Sequence, residues 1–140
     1  MISNIKKIIT FIICCLSILM FSSCSGGIDK NKAKNFINDF FDEVVAENYE
    51  NAETFLHPER PGDLRSYFLN IENNTDLDFQ NGIQIERYTG YSSTYYDSTV
   101  GGSTLELNIR VRIGDNTADF TIEIVQNKAG YGIYNLNIDT

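Results

Sequence analysis

The imidazole of His57 is the one side chain in this 140-residue sequence whose ordinary pKa lies close to neutral pH. A general base also needs an orienting partner within hydrogen-bond reach, and the surrounding Glu53-Thr-Phe-Leu-His-Pro-Glu-Arg60 supplies none at a recognisable spacing. His57 reads instead as the residue that ends a helix before Pro58, its ring facing the free carbonyls there. Asn74-x-Asp76-x-Asp78 opens like a calcium loop, but the sixth position, which needs glycine, is Phe79, and the twelfth, which needs a bidentate carboxylate, is Ile85. A polar turn is the better reading. No Gly-x-Ser-x-Gly elbow offers a serine nucleophile, and no motif implies a cofactor or a metal. Tyrosines remain: Tyr88, Tyr91, Tyr95 and Tyr96 in one stretch, Tyr131 and Tyr134 near the carboxyl end, and Tyr67 between. Phenols combine an apolar body with a polar tip and suit contact surfaces, yet tyrosine is also a good strand former; both readings stand. Tyr67, Tyr88, Tyr91, Tyr95, Tyr96 and Tyr134 are therefore candidate contacts for a small ligand or a partner envelope protein. Phenols are neutral near pH 7 and make poor bases.

The cysteines carry different chemistry. There are three, Cys14, Cys15 and Cys24. Met1 to Lys7 is a short head containing two lysines; an apolar run from Ile8 to Phe21 follows, then Ser22-Ser23-Cys24-Ser25-Gly26-Gly27. A cationic head, an apolar run and small residues before a cleavable bond have the layout of an export signal. The run has fourteen residues, short of the roughly 20 that a helical membrane span requires. Phe21-Ser22-Ser23-Cys24 resembles the lipobox of bacterial lipoproteins, although Phe21 stands where Leu is commonest and Ser23 where Gly or Ala is. The resemblance implies cleavage after residue 23 and a thioether-linked diacylglycerol on Cys24, which would make the protein extracytoplasmic and lipid-anchored to a bacterial membrane, cell membrane or outer membrane. Two acyl chains suffice for durable attachment. Residues 1–23 are then a signal peptide and 24–30 the lipidated cysteine with a short linker. With Cys14 and Cys15 removed, no thiol pair is left for a disulfide, so the fold must stand on its core.

Residues 31–140 suffice for one domain with a single core. The full chain carries a net charge of −8, and because Lys6 and Lys7 lie in the signal, residues 24–140 hold nine Lys and Arg against nineteen Asp and Glu, a net −10. Nucleic acid would repel so acidic a domain. Lys30, Lys32 and Lys34 interrupt the acidity. Cations sit poorly at a helix N-terminus but would lie close to lipid head groups; a solvated helix start is the other reading.

These residues need elements to hold them. From Asn31, Ala33, Phe36, Ile37, Phe40, Phe41, Val44 and Val45 follow helical spacing, with Asn38, Asp39, Asp42, Glu43 and Glu47 off the stripe. Asn48-Tyr49 breaks the pattern. A second helix, about Glu50 to His57, turns Ala52, Phe55 and Leu56 inward. Asp63 caps a third, burying Leu64, Tyr67, Phe68 and Ile71, and Asn73 to Gly82 is a polar loop. Beyond Gly82 the period becomes two: Leu105 to Ile113, Phe120 to Ile124 and Tyr134 to Ile138 alternate apolar with polar residues. Residues 83–98 form one strand bent and bulged near Gly90, or two short strands; Glu86 and Arg87 are the charged residues whose facing alternation leaves open there. The fold class is α+β, three N-terminal helices packed on a curved antiparallel sheet of about four strands.

The run Phe36 to Pro58, with Asn48-Tyr-Glu-Asn-Ala-Glu-Thr-Phe-Leu-His-Pro-Glu59, resembles the opening of the nuclear-transport-factor-2-like (cystatin-like) superfamily, in which a long and a short helix cap a cone-shaped sheet. The early hairpin that many members carry is missing. The resemblance implies either a ligand-binding or protein-binding module, or an enzyme of isomerase, hydratase or cyclase type. Enzymes of that superfamily place Asp or His on inward positions, and the inward positions here are Leu, Ile, Val, Phe and Tyr134, so no catalytic residue carries over. A non-catalytic module is the expectation. Register can also be set out. A two-residue turn at Asp115-Asn116 pairs Val111 with Phe120, Ile109 with Ile122 and Leu107 with Ile124, and sets Arg112 against Asp119. A Lys128-Ala129-Gly130 loop pairs Ile124 with Tyr134, Ile122 with Leu136 and Phe120 with Ile138.

Overall fold

The computed structural model describes residues 26–140; the export segment and Cys24 lie outside the described residues. Helix α1 runs Lys30–Val45. Its start is set by Asp29, whose carboxylate accepts the Lys32 N–H at 2.7 Å and satisfies one of the free donors of the first turn. Its end is a Schellman motif: Asn48 N–H reaches the Glu43 carbonyl at 2.9 Å and Glu47 N–H that of Val44 at 3.0 Å. Glu47 takes the left-handed position usually given to glycine, with φ 55°. The buried stripe is Ala33, Ile37, Phe40, Phe41 and Val44.

Helix α2, Tyr49–Ala52, continues as a 3-10 turn, Glu53–Phe55. The break between the helices falls at 46–48, and Tyr49 opens the second of them. Its ring is buried and stacks on Phe68 at 6.1 Å. Helix α3, Leu64–Asn74, is capped by Asp63, whose carboxylate accepts the Ser66 N–H at 2.9 Å and the Ser66 hydroxyl at 2.6 Å. These bonds favour the charged form and hold the Asp63 pKa below its usual value. The segment expected to be a polar loop contributes to the core, because Leu77 and Phe79 are buried. A 3-10 turn, Phe79–Asn81, turns Phe79 under α3, where its ring meets Phe68 edge-on at 4.9 Å. Alternation and helical stripes do not reveal single anchors of this kind.

The sheet is an antiparallel meander in the order β1-β2-β3-β4: β1 Gln84–Asp97, β2 Gly102–Ile113, β3 Asn116–Gln126 and β4 Tyr131–Asp139. Together with the helices it makes an α+β domain. β1 is one strand, and its pairing with β2 shifts between Tyr88 and Gly90, with further irregularities at Ile85/Arg87 and Thr94/Asp97. The β2–β3 turn falls at Gly114-Asp115, one residue earlier than expected. Gly114 has φ 59°, which fits the first central position of a type II′ turn. Each partner moves by two: Val111 faces Ala118, Ile109 faces Phe120 and Leu107 faces Ile122. An even shift keeps inward residues opposite inward ones, but the ion pair becomes Arg110–Asp119.

In the β3–β4 hairpin, Phe120↔Ile138 and Ile122↔Leu136 are as expected, yet Ile124 pairs with Ile133 and Gln126 with Tyr131. The loop has four residues and Tyr134 is the extra residue of a bulge. Ile133, 1 % exposed, occupies the inward place expected for Tyr134. Between sheet and helices, Phe40, Phe41, Phe68, Phe79 and Phe120 are all buried, each contributing about 1.5–3 kcal/mol by leaving water. Side chains fill this space.

Candidate functional site

His57 is fully buried, beyond the short helix it was expected to end. Leu56 bridges to Ile133, and the His57 N–H donates to the Ile133 carbonyl at 2.8 Å, so the segment runs along the edge of β4. Gly132 allows this approach: a Cβ there would stand 2.6 Å from the His57 nitrogen. The imidazole Nε2 lies 3.1 Å from Asn127 Oδ1 and 3.3 Å from the Gly130 carbonyl, both acceptors. Nδ1 accepts the Glu59 N–H at 3.2 Å. This places the proton on Nε2 and leaves neither nitrogen free for a substrate. Asn127 in turn donates from Nδ2 to the Val100 carbonyl and to Glu59, both at 2.8 Å. One imidazole and one amide thus tie three loops together: the chain after α2, the β3–β4 loop and the β1–β2 turn. Asn127 could not be singled out beforehand, since an asparagine in a turn is an ordinary choice.

The loops so tied lie where the described chain begins. Gly26 packs on Tyr95: a Cβ on Gly26 would meet the Tyr95 ring at 2.7 Å. Gly26, Gly27, Tyr95, Tyr96, Ser103 and Lys128 are among the residues lining an open groove of about 410 Å³. The first turns of α1 adjoin it, each lysine over a ring: Lys30 Nζ lies 3.9 Å from the Tyr91 centroid, Lys32 4.8 Å from that of Tyr131 and Lys34 4.4 Å from that of Tyr88. These are cation–π contacts, made by side chains of which Lys30 and Lys32 stay exposed. Tyr131 is more deeply set. Its hydroxyl is buried with no hydrogen-bond partner among the described residues, and burial pushes its pKa up to about 12.

The candidate tyrosines divide. Tyr91, Tyr95 and Tyr96 are exposed at 53, 67 and 63 % and share the β1 end. Tyr88 is half-buried against the core, which raises its pKa. Tyr67, on α3, is half-buried and donates to the Leu136 carbonyl at 3.3 Å; with Arg60, Asp63 and Leu136 it helps line an open groove of about 210 Å³. Tyr134 does not face the core. Its ring packs edge-on against His57 at 5.4 Å and lies under the Arg60 guanidinium at 4.5 Å.

The sheet face opposite the core is polar. Register places Arg87, Arg110, Asp119 and Asp139 in one row across the four strands. Arg110 grips Asp119 through two bonds of 2.8 and 2.6 Å, which lowers the carboxyl's pKa. Glu86 pairs with Arg112 on this outer face, which resolves the residue alternation left open. Asp76 and Asp78 diverge into separate roles: the Asp76 carbonyl accepts from Asn116 at 2.9 Å and the Asp78 carboxylate caps the 3-10 turn at 3.0 Å. Among the described residues, no group of three His, Cys, Asp or Glu is placed to hold a metal ion, and no helix is long and apolar enough to cross a membrane. No family model, curated protein or solved structure matches this chain. Its function has to be read from its own geometry.

Proposed function

We propose that this chain is an extracytoplasmic bacterial lipoprotein, cleaved before Cys24 and held on its membrane by diacylglycerol on that cysteine, with a domain that works as a non-catalytic contact module. The observation that carries the reading is the exposure of Tyr91, Tyr95 and Tyr96 at the end of β1 against which Gly26 packs. A contact surface and the attachment point then share one end of the domain. The packed space between helices and sheet favours contact with a surface over capture of a small ligand inside a cone. His57, with both ring nitrogens engaged, supports a structural use of the one imidazole. The order of helices and meander supports the likeness to the nuclear-transport-factor-2-like superfamily.

Cys24→Ala tests the attachment. The variant should fold with unchanged thermal stability, lose incorporation of labelled fatty acid and leave the membrane fraction. Equal labelling of variant and parent would refute the reading.

A further inference from the structure

We propose that the tyrosine- and lysine-bearing end of the domain rests on the phospholipid surface, so that the lipoprotein stands on its membrane in one fixed orientation. The proposal rests on acylation of Cys24 and names the partner of the same contact surface. The tether sets the geometry. One residue, Ser25, separates Cys24 from Gly26, so over two steps of about 3.6 Å their Cα atoms stand no more than about 7 Å apart. Gly26 itself lies against the Tyr95 ring. Acyl chains on Cys24 would therefore enter the bilayer beside Tyr95 and Tyr96, leaving no long linker on which the domain could turn.

The side chains suit that position. Exposed phenols settle at the head-group level, ring towards the acyl chains and hydroxyl in water. All four lysines of residues 24–140 are Lys30, Lys32, Lys34 and Lys128, three on the opening turns of α1 and one lining the groove with Tyr95 and Tyr96. Three lysines at a helix N-terminus oppose the helix dipole; besides the tyrosine rings they lie over, lipid phosphates would attract them. Three nearby acids accept local hydrogen bonds, which fix their positions but leave them charged. Asp29 caps α1, Asp97 accepts the Thr99 N–H at 2.7 Å, and Glu59 accepts from Asn127. At the opposite end, Asp76, Asp78 and Asp115 surround the β2–β3 turn, away from the bilayer in this orientation.

The chain contains no tryptophan, so single reporters can be introduced cleanly. Tyr96→Trp and, at the far end, Thr117→Trp would be placed in the full-length acylated protein and reconstituted into phosphatidylcholine–phosphatidylglycerol vesicles with and without brominated acyl chains. Labelled fatty acid on each preparation reports acylation independently. The proposal predicts a blue-shifted emission and loss of most intensity in brominated vesicles for Tyr96→Trp, with Thr117→Trp unchanged. An acylated protein in which neither reporter is quenched, both are quenched equally, or only Thr117→Trp is quenched overturns the orientation and leaves the lipoprotein reading standing. Absence of the label removes both.

Discussion

A buried phenol without a hydrogen-bond partner is an uncommon expense in a native fold, and Tyr131 carries one. Its folded pKa, about 12, lies above the ordinary 10.0. The neutral phenol is therefore the form that the fold favours. Its contribution is complete below pH 10 and is lost as pH rises through about 12. Tyr131→Phe removes the unpaired oxygen and the titration together. Stability at pH 7 should hold or rise by about 1 kcal/mol, and the alkaline limb of Tm against pH should become shallower between pH 10 and 12. A Tm that falls at pH 7 would show that the hydroxyl is bonded after all. At this scale the sequence was informative about residue type and weak about environment. His57 stands out by type alone, and its burial and its bond to Asn127 depend on a contact seventy residues away. Tyr134 was expected inward, and one bulged residue gave that place to Ile133.

Among the elements, what could be read locally agrees with the structure. The stripe of α1, the Asp63 cap and the strand alternation each depend on neighbours within a few residues. Hairpin register depends on where the turn nucleates, and two candidate turns one residue apart differ by two in pairing while burying the same face. Alternation cannot separate them; the positive φ of Gly114 does. Leu77 and Phe79 were missed because isolated apolar residues in a polar stretch carry no period. The most demanding local condition is the approach of Leu56 and His57 to β4, for which Gly132 leaves room. Gly132→Ala would set a Cβ 2.6–2.8 Å from the Leu56–His57 backbone, closer than real contacts allow. The strand or the tied loop must then shift, at a cost of about 1–3 kcal/mol. Denaturant unfolding of the variant should show that loss with unchanged m; a variant as stable as its parent would mean that the segment is not fixed on β4.

Across the whole molecule, charge and exposure are arranged along the long axis of the sheet. Lysines and exposed tyrosines gather where the described chain begins, while carboxylates stand at both ends, Asp29, Glu59 and Asp97 at this one and Asp76 and Asp78 at the other. Composition alone showed an acidic domain with a basic start; only the meander reveals that Lys128 and Tyr96, far from Lys30 in sequence, share that end. A freely diffusing protein gains little from such a layout, whereas one attached through Cys24 would present one end to the bilayer and the other to the medium. Attachment is thus the claim on which orientation and contact both depend. Its most direct measurement is the mass of the amino-terminal fragment of full-length protein extracted from bacterial membranes. The predicted fragment begins at Cys24 and carries a thioether-linked diacylglycerol. A fragment that begins at Met1, or at Cys24 with a free thiol, would contradict it.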